Sequence, residues 1–156
     1  MTALEFRDAR REDVPAIMAL LAADSLGATR EPTNGRVPES VWNAFDVISR
    51  DPYNRQIVAE QAGRIVGCMQ LTLIPGLTYS GGTRLQIEGV RVAEDLRRKG
   101  IGRRMFDWAI ADARRKGVRL VQLTHHASRG PADAFYRSLG FTPSHVGMKL
   151  DLGTKS

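Results

Sequence analysis

The chain predicts a single mixed α/β domain built around one sheet. Three observations carry this. Apolar residues switch between strand-like alternation and helical spacing in the order β-α-α-β-β-β-α-β-α-β. A basic turn containing two glycines, Arg97-Arg98-Lys99-Gly100-Ile101-Gly102, joins a strand-like segment to a helix-like one. The 156 residues are 42% hydrophobic, enough for one sizeable core, and no repeat, linker or low-complexity stretch divides them. One domain spanning 1–156 is therefore expected.

Each element has its own signal. Leu4 to Asp8 reads as a strand, with Leu4 and Phe6 alternating against polar neighbours. Asp8 or Arg11-Glu12-Asp13 opens a helix in which Val14, Ile17, Met18, Leu20 and Leu21 recur at helical spacing, and Pro15 suits its first turn. Gly27 to Pro38, with two prolines and two glycines, reads as a loop. Val41, Trp42, Phe45, Val47 and Ile48 predict a short helix that stops near Asp51-Pro52. Ile57 to Gln61 and Arg64 to Ile74 read as two strands joined at Ala62-Gly63, a hairpin signal. Pro75 to Gly82 is a glycine-rich connection, and Arg84 to Val92 is the next strand.

Ile101, Met105, Phe106, Ala109, Ile110 and Ala113 form one apolar stripe on a helix from Ile101 to Lys116, ended by Gly117. Leu120 to Leu123 is a short strand of the buried type. Pro131 to Leu139 is a helix stopped by Gly140, and Ser144 to Leu152 reads as a last strand.

Charge is distributed unevenly. The net charge is +6. Nine cations lie between Arg97 and Arg119 against two acids, Asp107 and Asp112, whereas the rest of the chain is close to neutral. The excess is thus local to the glycine turn and its helix, although Arg114 to Lys116 also complement the helix C-terminus. Glycines let backbone approach a ligand closely, and a helix N-terminus offers unpaired N–H groups, so the turn suits a pyrophosphate. A dinucleotide site would need a third glycine near the start of the fold and a P-loop would need G-x-x-x-x-G-K-[ST]; neither is present. A nucleic-acid reader is disfavoured, because no recognition motif appears and aromatics do not interleave the basic run.

What is present is V-x-V-x-x-x-x-R-x-x-G-x-G, carried by Val90, Val92, Arg97, Gly100 and Gly102, followed later by Phe135-Tyr136-x-x-Leu139-Gly140-Phe141. This pattern resembles the acetyl-CoA signature and C-terminal segment of the GNAT superfamily of N-acetyltransferases, and the likeness runs from about Leu4 to Leu152. A weaker likeness is to small-amine acetylators such as aminoalkylphosphonate N-acetyltransferases. The resemblance implies a GNAT-like fold: a mixed, mostly antiparallel sheet with a splayed central strand pair and helices on both faces. It implies acetyl-CoA as co-substrate, an amine acceptor, no metal, and an architecture compatible with a homodimer.

The resemblance also implies roles. The backbone around Val90, Arg91 and Val92 would pair with the pantetheine amides, and the Val90 N–H would serve as oxyanion donor. Arg97, Arg98, Lys99, Gly100, Ile101, Gly102 and Arg103 would hold the phosphates. Glu88 would act as base, with an ion pair to Arg84 or Arg91, or contact with a cationic substrate, as its alternatives. Tyr136 would act as general acid, and Phe135 would belong to the core.

Family members often carry an asparagine after the strand corresponding to Leu120 to Leu123. Here the chain reads Thr124-His125-His126, which makes His126 the candidate for that cofactor contact. The family's R-x-D-A-H-x-F-Y becomes Arg129-Gly130-Pro131-Ala132-Asp133-Ala134-Phe135-Tyr136. His145 is left between lining the acceptor site and packing.

The acceptor would be chosen by the segments Gly27 to Phe45 and Pro75 to Gly82, with Arg30, Glu31, Arg36, Trp42 and Tyr79 as pocket candidates. A small-molecule primary amine leads, a protein or peptide amine and a non-catalytic acyl-CoA sensor follow, and a nucleic-acid module comes last. Adjacent His125 and His126 point to opposite faces of an extended segment, which argues against a metal. Cys68, the single cysteine, sits among Val66, Met69 and Leu71 as an inert core thiol. With no apolar leader core in Met1 to Arg7 and no run near ~18 apolar residues, a cytoplasmic setting without a membrane partner is expected.

Overall fold

A computed structural model describes residues 2–30, 34–128 and 130–153, so Glu31 and Arg129 lie outside the described residues and the Arg30 side chain is not described. Two compact units divide the chain, Met1–Leu123 and Thr124–Ser156.

The first unit holds a five-stranded mixed sheet in the order β1-β2-β3-β4-β5. Its strands are β1 (Leu4–Asp8), β2 (Asn54–Gln61), β3 (Arg64–Ile74), β4 (Arg84–Val92) and β5 (Leu120–Leu123). The first three pairings are antiparallel and β4 with β5 is parallel. The hairpin at Ala62-Gly63 forms as expected, with both residues at positive φ (52° and 75°), which matches the twist of the strands it joins.

Helices cover both faces. On one, α1 (Val14–Ala22) packs Ile17 and Leu20 against Val58, Cys68 and Ala93. On the other, α5 (Ile101–Arg115) buries Met105, Phe106 and Ala109 completely. Gly67 lies beneath α5 because a Cβ there would come within 2.9 Å of Met105 Sδ. Burial of Cys68 pushes its thiol pKa up to about 12, so it remains an unreactive core residue.

Two expectations need correction. Gly27 to Pro38 is not wholly a loop, since α2 spans Ser25–Arg30. Asp24 nucleates it: its carboxylate accepts from the Gly27 N–H, and its carbonyl from the Ala28 N–H at 2.8 Å, which outweighs the glycine. The second correction is Ser144 to Leu152, which forms no strand among the described residues. Its alternation is real, but no ladder partner is there to hold it. The remaining helices are α3 (Glu39–Arg50), a short α4 (Thr78–Gly81) containing left-handed Tyr79 and Ser80, and α6 (Gly130–Ser138) in the second unit.

The sheet opens at β4. Its parallel ladder with β5 runs only from Arg84↔Leu120 to Ile87↔Leu123. Beyond this point β4 also slips against β3, because Glu88 pairs with Gln70 and Arg91 with Cys68, which leaves two residues opposite Met69 alone. This is a β-bulge, with Gly89 at φ 59°. A left-handed residue costs a side-chain-bearing amino acid about 1–2 kcal/mol. Space is not limiting, since only Leu21 Cδ2, at 3.9 Å, approaches a built Cβ. Gly89→Ala should therefore lower stability by about 1–2 kcal/mol in urea unfolding; no loss would contradict a backbone requirement there.

Asp13 anchors the entry to α1. It accepts from Arg7 Nη1 at 2.6 Å and from the Arg10 N–H at 2.7 Å, and Arg7 also reaches Glu60 at 2.7 Å. The Arg7 hydrogen bond holds the Asp13 pKa below the usual carboxylate range, against opposition from burial. A lowered pKa stabilises the fold above the ordinary value, and this contribution is lost as pH falls through the lowered one. Asp13→Asn should cost roughly 1–3 kcal/mol at about pH 7. The gap from the original protein should shrink in urea titrations near pH 2, whereas a gap independent of pH would contradict the assignment.

Candidate active site

The unpaired stretch of β4 carries the candidate chemistry. Gly89 and Val90 stand outside both ladders. Glu88 is exposed and makes no hydrogen bond or ion pair among the described residues. The two arginines expected to compete for it are engaged elsewhere. Arg84 Nη1 reaches Gln122 Oε1 at 3.4 Å. Arg91 Nη1 donates to the Val90 carbonyl at 2.9 Å, and its Nε lies 3.1 Å from Asp24 Oδ2. That Nε is buried without a well-aligned hydrogen bond, so the Asp24 contact is chiefly one of charge. What Arg91 can offer a ligand is its backbone.

Asp24 is a site residue that sequence reasoning missed. It joins α1 to α2 and ties their junction to β4, while Leu21 at the end of α1 approaches Gly89. The available signal was an acid directly before a helix start.

After β4 the chain is pinned and then turned. The Ala93 N–H donates to Val66 O at 2.8 Å, and Arg64 holds Asp95 through two hydrogen bonds of 2.9 and 2.8 Å. Arg97 Nε donates to Val92 O at 3.3 Å. Arg98 then takes φ 61° and Gly100 φ 83°. A left-handed arginine is a strained residue, tolerated where the surroundings fix the turn. No side chain caps α5, and its first intrahelical bond runs from Arg104 N to Gly100 O at 3.1 Å. The amides of Ile101 and Gly102 precede that bond, so they lie at the positive end of the helix. Ile101 is buried and locks the helix end to the core, while Arg97, Arg98, Lys99 and Arg103 are exposed around the turn. The arrangement is a basic anion cradle.

Part of the basic excess is structural. Arg115 and Lys116 pair with Asp112 at 3.2 and 2.8 Å, and Arg119 lies over the Tyr79 ring at 5.5 Å.

In the second unit, Tyr136 is half-buried in an aromatic cluster. Ring centroids lie 5.4 Å away at Phe135, 6.2 Å at Phe141 and 5.5 Å at His125. Its carbonyl accepts from the N–H groups of Leu139 and Phe141, both at 3.1 Å, which closes α6. His126 is exposed, with Nδ1 turned to Ser128 Oγ at 2.7 Å, and His145 meets Ser144 Oγ at 2.7 Å. Among the described residues, no three His, Cys, Asp or Glu side chains converge as a metal site.

Arg36 borders a cavity of about 320 Å³ floored by Pro15, Met18, Ala19 and Ala22. No lining residue belongs to β4; the link to that strand is through Leu21 and Asp24. Trp42 is covered by the Arg11 guanidinium at 4.7 Å. No helix among the described residues is long and apolar enough to cross a membrane.

Known proteins share this fold. Residues 16–141 match the model of the acetyltransferase (GNAT) family. A crystal structure described as a transcriptional regulator from Bacillus halodurans C-125 is 40% identical and superposes with a TM-score of 0.93, covering 96% of this chain and 100% of its own. A putative acetyltransferase from Agrobacterium tumefaciens str. C58 is 25% identical, with a TM-score of 0.83, over 94% of this chain and 99% of that one. At 18% identity, a predicted acetyltransferase with acetyl-CoA from Clostridium acetobutylicum shares the fold, with a TM-score of 0.73 over 96% and 97% of the two chains. With the family match spanning most of its length, the chain belongs to the GNAT acetyltransferases, whose acetyl donor is acetyl-CoA.

Proposed function

We propose that the protein transfers an acetyl group from acetyl-CoA to the primary amine of a small molecule, by direct attack with both substrates bound. The observation that carries this reading is the continuity along one strand of three features. These are a carboxylate at Glu88 without a partner among the described residues, backbone outside both ladders at Val90, and a basic turn at the start of α5.

Acetyl-CoA supplies the thioester; the chain's residues supply everything else. The amides of the 98–102 turn, with Arg97, Arg98, Lys99 and Arg103, suit the phosphates. The open edge of Val90 to Val92 suits an extended amide-bearing arm, as a sheet edge suits another strand. His126 is a further candidate contact for the cofactor. Glu88 takes the proton that the amine must lose, directly or through water. The amine nitrogen attacks the carbonyl carbon, and the Val90 N–H faces the negative charge that develops on the carbonyl oxygen. The C–N bond forms, the C–S bond breaks, and Tyr136 gives the departing thiolate its proton.

The cavity beside Arg36 is of small-molecule size, which favours a small amine over a protein chain. In this reading residues 1–156 act as one N-acetyltransferase domain in the cytoplasm, with no nucleic-acid partner.

Acetyl-CoA at about 100 times its dissociation constant should stabilise the protein by about 2.7 kcal/mol. Glu88→Gln and Tyr136→Phe should each lower kcat by roughly 10²–10⁴-fold while keeping that stabilisation. Thiol release measured across a panel of small amines and lysine peptides checks both points. Undiminished turnover in the two variants would overturn the assigned roles. Stabilisation without thiol release would indicate a sensor, and turnover on peptides alone a protein acetylator. DNA binding without any response to acetyl-CoA would overturn the reading altogether.

A further inference from the structure

One face of the sheet is polar along half its length. Register places Asn54, Thr72, Gln86 and Gln122 in a single row across β2, β3, β4 and β5. The next row is Gln56, Gln70 and Glu88. Residues two apart on a strand share a face, so both rows lie on the side where Val58 and Cys68 meet α1. The other side of the same strands is apolar, with Met69, Leu71, Leu85 and Ile87 buried. Except for exposed Glu88, the polar residues of the two rows are half-buried. Half-buried amides need partners, and their pairing is informative.

The bonds among these side chains have a direction. Arg84 Nη1 donates to Gln122 Oε1 at 3.4 Å. Gln122 Nε2 in turn donates to Gln86 Oε1 at 2.7 Å, which leaves Gln86 Nε2 over as a donor. A second relay ends the opposite way. Asn54 Nδ2 donates to Asp51 Oδ2 at 3.0 Å, and Asn54 Oδ1 accepts from Gln70 Nε2 at 3.0 Å and from Thr72 Oγ1 at 2.8 Å. This leaves Gln70 Oε1 over as an acceptor. An arginine can only donate and a carboxylate only accept, so the charged ends fix the orientation of each amide. Gln86 Nε2 and Gln70 Oε1 have no hydrogen-bond partner among the described residues. Neither is buried, because buried side-chain atoms without a partner occur among those residues only at Arg84 Nε and Arg91 Nε.

The two relays end around Glu88. Gln70 is its direct partner across the ladder, a position where Cβ atoms lie about 4.5–5.5 Å apart. Gln86 is two residues earlier on β4, about 7 Å along the strand. One small patch thus presents a donor, an acceptor and a carboxylate, all open to a ligand.

We infer that this patch selects a small amino alcohol, a primary amine with a hydroxyl group a few bonds away. The inference rests on the acetyl-transfer reading for the fate of the amine. An ammonium group has three donors and no acceptor, so it suits Glu88 and Gln70 Oε1 but cannot use Gln86 Nε2. The hydroxyl oxygen of the same molecule can. A plain alkylamine of equal size would cover the Gln86 amide and leave it unpaired, and sites built to bond a hydroxyl discriminate against analogues that lack it. Gln86 is then the residue that sets specificity, while Gln70 helps Glu88 to hold the amine.

Thiol release from acetyl-CoA, compared for ethanolamine against propylamine and for propanolamine against butylamine, tests this. Each pair has equal numbers of heavy atoms. The hydroxylated member should have a kcat/KM roughly tenfold higher. Gln86→Met keeps the side-chain length without the amide and should erase the preference by raising KM for the hydroxylated member, not by lowering kcat. Gln70→Met should raise KM for both members. Gln61→Met, beside the hairpin at the end of β2, should leave the preference intact. A purely structural role for Gln86 would affect both members of a pair alike. Nuclear magnetic resonance gives a second readout: ethanolamine added to the protein with coenzyme A should shift the side-chain amide signals of Gln70 and Gln86 to saturation. Equal kcat/KM within the pairs, or a preference that survives Gln86→Met, would overturn the inference and leave acetyl transfer standing. Saturable shifts without thiol release from any amine would support the binding patch and overturn the catalytic reading. Signals of both glutamines that do not respond to ethanolamine would overturn the inference.

Discussion

β4 shares a ladder with β5 for four residues, Arg84 to Ile87, and then runs on to Val92 without that neighbour. The rest of the candidate site depends on this parting. β5 ends there at Leu123, and just beyond it β4 inserts a residue against β3. The insertion is at Gly89, where the left-handed backbone bends β4 and takes Val90 out of the β3 ladder as well. In an ordinary sheet the polar groups of a central strand are consumed on both sides. Here a stretch of central strand keeps some of them available to a ligand.

The surroundings hold the strand in that state. Above it, α1 brings Leu21 to Gly89, and Asp24 meets the Arg91 guanidinium. Arg91 would otherwise be a charge beside Glu88. Turned to Asp24 and the Val90 carbonyl, it leaves Glu88 exposed and unpaired among the described residues. On the same face, Cys68 donates its thiol hydrogen to the Gly89 carbonyl at 3.6 Å, a weak bond that satisfies part of the bulge inside the core. The far end is fixed by Arg64 on Asp95, so the basic turn begins from a defined position and the strain at Arg98 is affordable.

Much of this was legible in the residues. The bounds of β1, β4 and β5 follow the sequence reading because their apolar residues alternate or run continuously between strong breakers. The stripe from Ile101 to Ala113 gave α5 to within one residue, as Gly100 and Gly117 bracket it at positive φ. Other features depend on through-space partners. Arg91 choosing Asp24 over Glu88 and Asp112 reaching Arg55 on β2 are side-chain pairings that no local pattern encodes. Gly89 sits in the sequence as a single glycine in a strand, and only the register shows what it does. Ser144 to Leu152 has the alternation of a strand, but a strand also needs a neighbour, and the sequence names none.

We propose that the freed part of β4 and the turn at the head of α5 form one continuous surface for acetyl-CoA. Residue-resolved hydrogen exchange with and without the cofactor tests this directly. Slowed exchange should be confined to the amides of 88–92 and 98–103, including Val90, Ile101 and Gly102, with the helix core of α5 unchanged. Cofactor binding that leaves these amides untouched, or protects a different surface of the molecule, would contradict the account.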